Sequence, residues 1–418
     1  MSTDTRISDA VSQTRLWDRH VVMGSIGATA RGGVNRLALS AADAAAQAEL
    51  AGWAAARGFR CVRDEIGNLF VRREGMDRDA APVLMGSHLD SQPTGGRFDG
   101  TYGVLAGFEV LEALADSGMH TRRPVEVVAW TNEEGSRFQP GCMGSAAFTG
   151  VFPLDRMLGM QDRDGVSVST ALAELTKASP VEFRSMQSVK PAAYLEAHIE
   201  QGPRLEAAGA TIGVVTGIQG IRRLIVTVRG EEAHAGTTPR AARRDAVSAA
   251  VAVISALESM CNDAEDAIRF TVGRMEVTPN SPNTVPSKVE FSIDLRHPDA
   301  ALLARLGDSI AETVQATASG RRCAAEVKHV SHVPPTVFSD TTVGLIRTAT
   351  EALQYRYLEM PSGAGHDAMY LNRVCPTGMI FVPCLRGVSH NEAESATAED
   401  LAAGARVLAQ TLVALAGS

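Results

Sequence analysis

The sequence predicts an α/β protein with a smaller α+β sandwich inserted into it. Three observations carry that prediction. Two continuously apolar runs, 83–85 (VLM) and 125–130 (VEVVAW), have the length and composition of buried strands, and each empties into a polar loop. Further on the pattern changes. Strand-like runs at 212–216, 223–229 and 289–295 are interspersed with helical patterns at 240–260 and 300–317, as in one sheet with helices on one face. Finally, 418 residues are too many for one ordinary core. The expected division is 1–212 with 331–418 for the larger domain, its sheet mixed but mostly parallel, and 213–330 for the insert.

Taken in order, residues 1–40 read as a helix and a loop. Ser40-Ala-Ala-Asp43 resembles a capping box and opens an alanine-rich helix that ends near Gly58. Strand candidates at 59–62 and 68–72 flank the turn Ile66-Gly67-Asn68. Then comes the organising stretch, 83–107. A strand leads into a loop holding His88, Asp90 and Asp99 among Gly86, Gly95, Gly96 and Gly100, and a helix follows from about Val104. Open α/β sheets keep their chemistry in such places, beyond the carboxyl ends of strands. The run 125–130 repeats the design and ends in Glu133-Glu134. At 192–200, Tyr194, Glu196, His198 and Glu200 alternate with Leu195, Ala197 and Ile199, so His198 and Glu200 share a face. After the insert come a helix at 343–353, a glycine-rich loop at 363–367, a strand at 378–382 and a loop with His390. The last helix starts behind Thr397-Ala-Glu-Asp400.

The chain carries 40 Lys and Arg against 48 Asp and Glu, a net charge of −8 with no basic block. That argues against nucleic acid or an anionic membrane surface as partner. No apolar run approaches the roughly 20 residues of a membrane span, and the polar N-terminus is unlike a secretory signal, so a cytoplasmic protein is expected. The six cysteines are scattered without a CxxC pair and read as reduced thiols, mostly in cores. Cys142 is read as a packing residue, because no histidine nearby in sequence would activate it. His20, His120, His297, His329 and His332 read as structural or surface residues.

Singly, each remaining polar residue has an ordinary explanation. Together, His88, Asp99, Glu134, His198 and His390 supply three imidazoles and two carboxylates from one expected sheet edge. Zinc, manganese, cobalt and nickel all accept such ligands. The set fits two ions ~3.5–4 Å apart with Asp99 shared between them. Glu133, beside a ligand, can take the proton from an activated water. Asp90 is expected to accept the second ring N–H of His88 and fix its tautomer.

The motifs GSHLDSQPTGGRFDGTYGV, TNEEGSRF, EAHIEQGP, EEAHAGTTP, PNTVP, DLRHP, GAGHDA and GVSHNEAE occur in this order. They resemble the di-metal amidohydrolase group of N-carbamoyl-L-amino-acid hydrolases, allantoate amidohydrolases and β-ureidopropionases, within the aminoacylase and glutamate-carboxypeptidase superfamily. The resemblance covers the chain from about residue 15 to its C-terminus. It implies a di-metal exopeptidase-like catalytic domain, two divalent ions per subunit on the five residues above, and Glu133 as general base. It implies substrate contacts at Gln201, His234, Asn283, Arg296 and His366. It also implies a homodimer through the inserted domain, with His234 reaching the neighbouring subunit's site. The chemistry of the residues agrees. Arg296 falls on the outward face of an alternating strand, and a guanidinium binds a carboxylate in bidentate fashion. His234 can donate to the oxyanion of a tetrahedral intermediate. The expected reaction is hydrolysis of the ureido C–N bond of an N-carbamoyl-L-amino acid to the amino acid, ammonia and carbon dioxide. Allantoate or N-carbamoyl-β-alanine would use the same groups. A non-catalytic metal-binding homologue would be expected to have lost Glu133 or a ligand, and this chain keeps them all.

Overall fold

The computed structural model describes residues 3–264 and 267–417, so the expected domain ends Met1 and Ser418 lie outside the described residues. The chain forms two compact units, Met1–Thr216 with Val337–Ser418, and Gly217–Thr336.

The first unit is built on a ten-stranded mixed sheet. Four parallel strands form its centre, in spatial order Thr377–Val382, Ala193–Ile199, Val83–His88 and Val125–Trp130. Every residue in these four is buried, as expected of a parallel sheet covered on both faces. Their register aligns the ends that matter: His88 stands opposite Trp130, and His198 opposite Phe381. Antiparallel strands extend the sheet, with Leu69–Arg73 against Val125–Trp130 and Arg60–Arg63 beyond it. The helices Thr101–Asp116 and Ala398–Ala416 pack on each other and on the central strands, joined by a hydrogen bond from Tyr102 Oη to the Leu401 carbonyl at 2.9 Å. Both capping boxes form at the serine and threonine side: Ser40 Oγ accepts from Asp43 N at 3.3 Å and Thr397 Oγ1 from Asp400 N at 3.0 Å.

Some expectations need correcting. Residues 213–216, assigned to the insert from sequence, belong to the first sheet. The strand Ile212–Ile218 pairs antiparallel with Thr377–Val382, Val215 opposite Met379. A short apolar strand reads the same in either sheet, so its sequence could not decide. The helix expected from Arg240 starts at Ala246, where the Asp245 side chain accepts from Ser248 N at 2.9 Å. Helices at Met143–Phe148, Leu154–Leu158 and Val168–Ala178 were not anticipated, being mostly too short to show periodicity.

The second unit has a five-stranded antiparallel sheet. Lys288–His297 lies beside Gly220–Arg229, which pairs in turn with Ala324–Val333. Along Lys288–His297 buried and half-buried residues alternate strictly. Phe291, Ile293 and Leu295 join Leu224, Val226 and Val228 in one core with the helices Ala246–Met260 and Ala300–Gly320. The edge strand Ala324–Val333 is largely exposed and was missed in sequence. A separate two-stranded ladder sets His234 opposite Thr284.

Candidate active site

The four parallel strands all end at the same edge, and each delivers polar groups there. His88 is the last residue of its strand, His198 the penultimate of its own, and Glu133-Glu134 and His390 follow the other two. Ring orientation is set by the backbone. His88 Nδ1 lies 2.9 Å from the Asp90 carbonyl and His198 Nδ1 2.9 Å from the Ile199 carbonyl. A carbonyl only accepts, so Nδ1 carries a proton in both rings, and in the neutral form Nε2 is left with the lone pair a metal would take. Both Nε2 atoms face Asp99. Its Oδ1 is 3.2 Å from His198 Nε2 and 3.7 Å from His88 Nε2. Its Oδ2 is 3.3 Å from His390 Nε2, which is also 3.3 Å from Glu134 Oε2.

Two of the resulting clusters, His88–Asp99–His198 and Asp99–Glu134–His390, could each hold a metal ion, with ligand atoms within 4.8 Å of one another. A third, Glu196–His198–His366, is less suited. Glu196 is already satisfied by Ser87 Oγ at 2.8 Å and Ala368 N at 3.0 Å, with Tyr194 Oη at 3.1 Å. The electrostatics favour cations at the first two. Burial, then Asp99's charge, pushes the Glu134 carboxyl up to about 7. Burial, then Asp367 and Glu134, pushes Glu133 well above the usual range. Asp99 is held low, against its burial, by the His198 and His390 rings, but Glu133 and Glu134 lack such full compensation, and divalent ions would supply it.

Asp90 does a different job from the one expected. His88 Nδ1 bonds to its backbone carbonyl, while the carboxylate accepts from Glu133 N at 3.1 Å and Glu134 N at 3.2 Å. The side chain therefore holds the Glu133-Glu134 backbone. Gln201 spends its amide nitrogen on Asp99 Oδ2 at 2.9 Å, and its Oε1 is buried without a partner. His366 is 2% exposed and packs edge-on against His198, ring centroids 4.6 Å apart. Its Nε2 is 2.9 Å from Ser362 Oγ.

Sequence reasoning missed three residues here. Ser389 Oγ lies 2.9 Å from Asp99 Oδ2 and 3.1 Å from Glu394 Oε2. Glu394 Oε1 accepts from Phe98 N at 2.8 Å and Asp99 N at 3.1 Å. Gln92 Nε2 donates to Glu134 Oε2 at 2.7 Å. One signal was available in the glycines. A Cβ on Gly96 would sit 2.0 Å from the Glu394 carboxyl, and one on Gly100 2.3 Å from the His88 ring.

The other expected contacts lie in the second unit. His234 Nδ1 accepts from Gly236 N at 3.0 Å and Thr237 N at 3.1 Å, which leaves Nε2–H as an exposed donor. Asn283, exposed, accepts from Ala235 N through its carbonyl at 3.0 Å, so it and His234 share one short ladder. Arg296 directs its fork at Asp294, Nε to Oδ1 at 2.7 Å.

Known proteins resemble the chain over nearly its whole length. The model for peptidase family M20/M25/M40 matches residues 84–414. An N-carbamoyl-L-amino-acid amidohydrolase of Rhizobium meliloti is 40% identical over 95% of both chains. An allantoate amidohydrolase of Escherichia coli is 35% identical over 99% of both. The crystal structure of an amidase of the hydantoinase/carbamoylase family from Burkholderia multivorans superposes with a TM-score of 0.93 at 45% identity, covering 97% of this chain and 98% of that one. With the parallel sheet, the ligand clusters at its carboxyl edge and these matches together, the chain belongs to peptidase family M20/M25/M40, in its group of hydantoinase/carbamoylase amidases.

Proposed function

We propose that this chain hydrolyses the ureido C–N bond of N-carbamoyl-L-amino acids, releasing the amino acid, ammonia and carbon dioxide. The observation that carries the reading is the pair of ligand clusters sharing Asp99, with Glu133 Oε2 3.5 Å from His88 Nε2. His88, Asp99 and His198 would hold one divalent ion, and Asp99, Glu134 and His390 a second; zinc, manganese, cobalt and nickel all suit this donor set. When bound, the ions supply Lewis acidity, polarising the ureido carbonyl and acidifying a water.

The chain's own groups do the rest. Glu133 takes the water's proton and passes it to the leaving nitrogen as the C–N bond breaks, giving the amino acid and carbamate, which decomposes to ammonia and carbon dioxide. Asp90 fixes the backbone that presents Glu133. His234 Nε2–H donates to the developing oxyanion, from the partner subunit of a homodimer joined through the second unit. Support for that dimer comes from the open edge of the sheet at Ala324–Val333, where Val330 is 56% exposed. Arg296 and Asn283 bind the substrate carboxylate, Asp294 yielding part of the Arg296 fork. With its nitrogen committed to Asp99, Gln201 is assigned a substrate N–H, accepted at Oε1, in place of the carboxylate. His366 is assigned to supporting His198 before any direct substrate contact. Among the described residues no helix is long and apolar enough to cross a membrane, in keeping with a cytoplasmic enzyme.

Allantoate and N-carbamoyl-β-alanine carry the same ureido and carboxylate groups, and relatives named allantoate amidohydrolases match at 34–35% identity. Ammonia release from metal-stripped protein reloaded with manganese, cobalt or zinc separates the readings. The panel is N-carbamoyl-L-methionine, its D-enantiomer, N-carbamoyl-β-alanine and allantoate. Turnover of the L-carbamoyl compound is expected to dominate. Preference for allantoate would keep every residue role and change the substrate, whereas silence on the whole panel with metal bound would sink the enzyme reading.

A further inference from the structure

We infer that Cys142 is a positioning residue for Glu133, its thiol anchoring one carboxylate oxygen so that the plane of the carboxylate is fixed and the other oxygen is aimed at the reacting water. The inference rests on the reading of Glu133 as base. The Glu133 side chain is about 10% exposed, and its two oxygens have different neighbours. Oε2 faces the ligand cluster at His88 Nε2, and Oε1 accepts a hydrogen bond from Cys142 Sγ at 3.2 Å. The terminal torsion of a glutamate is broad, so packing along the chain does not fix the plane of the carboxylate. A donor on one oxygen does. Among the described residues the thiol is the hydrogen-bond donor to this carboxylate.

The backbone at Cys142 is arranged for the same end. Its amide donates to the Glu133 carbonyl at 2.8 Å, so one residue grips both the main chain and the side chain of Glu133. The grip continues through Met143 N to Asn132 O at 3.2 Å and Gly144 N to Thr131 O at 2.8 Å. Cys142 itself sits at φ 48°, ψ 33°, in the left-handed region. Glycine is the default there, and other residues persist only where the surroundings enforce it. A cysteine in that place brings a donor that glycine lacks. Burial, then the charges of Glu133 and Asp367, hold the thiol protonated, in the state that can donate.

The test compares Cys142→Ala, Cys142→Ser and Glu133→Gln in metal-loaded enzyme. Cys142→Ala is expected to lower kcat about tenfold with KM and metal content unchanged, and Cys142→Ser, which restores a donor, to recover most of it. An infrared difference between wild type and Cys142→Ala isolates one S–H stretch. It should lie on the low-frequency side of the thiol bands and move up in Glu133→Gln, where the acceptor has lost its charge. Equal losses in the Ala and Ser variants with an unshifted stretch would make Cys142 a packing residue and overturn the inference. So would wild-type kcat in Cys142→Ala while Glu133→Gln is inactive. A fully active Glu133→Gln would overturn the base, and the positioning with it.

Discussion

The two sheets treat charge in opposite ways. In the first unit the four central strands are buried along their whole length, and His88 and His198 gather with the acids of the loops that follow at one edge, while Glu126 at the far end pairs with Arg72 and Arg184. At the histidine edge Asp90, Glu133 and Glu134 are all pushed upward, by burial first and by neighbouring acids after it. In the second unit one face stays open, and its charges pair off in half-exposed positions. Asp294 meets Arg296 at 2.7 Å and Arg223 at 3.1 Å, and Arg274 meets Glu290 at 3.1 Å. Exposed pairs of this kind are worth ~0–1 kcal/mol. The difference teaches where each kind of work can be done. Uncompensated, buried carboxyls want cations and protons, which suits bond breaking. A stiff sheet with a cation on its open face suits holding an anion.

The comparison breaks most readily at Glu133. Glu133→Gln should cost about 10²–10⁴-fold in kcat with metal content unchanged, measured by steady-state kinetics beside elemental analysis. Arg296→Lys should instead raise KM, about 10–100-fold, and leave kcat nearly alone, because lysine cannot reproduce a bidentate grip. A kcat effect at Arg296 or a KM effect at Glu133 would dissolve the division between the units. Ser389→Ala removes one donor from Asp99 Oδ2 and should weaken metal binding about tenfold, read by titration calorimetry.

The smallest effect concerns the metal-free protein. Glu134 titrates at about 7 in the folded chain, raised by burial first and by Asp99 second. An unfolded glutamate titrates near about 4.3. Between those values the folded chain holds a proton that the unfolded chain lacks, so stability falls as pH rises through that window. Scanning calorimetry should show Tm declining from about pH 4.5 to about pH 7 in stripped protein, with a flatter slope once metal is loaded.

Much of this arrangement was legible before any coordinates. Apolar runs ending in His88, Glu133-Glu134 and His198 announced the parallel strands and the edge where these groups gather. Asp90 was legible by type and spacing only. A sequence does not say whether an imidazole will meet a residue's carboxylate or its carbonyl, and here it met the carbonyl. Glu394 was invisible because its partner, the Asp99 amide, lies 295 residues away. The edge strand Ala324–Val333 escaped because its inner face is only half-buried, with Ala325 and Val327 on the core, and a register shift between His329 and Ser331 breaks the alternation. The strand Ile212–Ile218 was found but given to the wrong sheet, since pairing partners are a tertiary matter.

The chain leaves the first unit at Thr216 and returns at Val337, and the Phe338 amide donates to the Thr216 carbonyl at 3.0 Å. Departure and return are thus adjacent rungs of one ladder. A tight turn joining them would excise the whole intervening module without stretching what remains. All five ligand candidates, with Glu133 and Asp90, lie in the part that would be kept. The molecule can accordingly be treated as one unit that carries the metal-ligand candidates and a second, graftable unit, and recombination could exchange the second while the first persists.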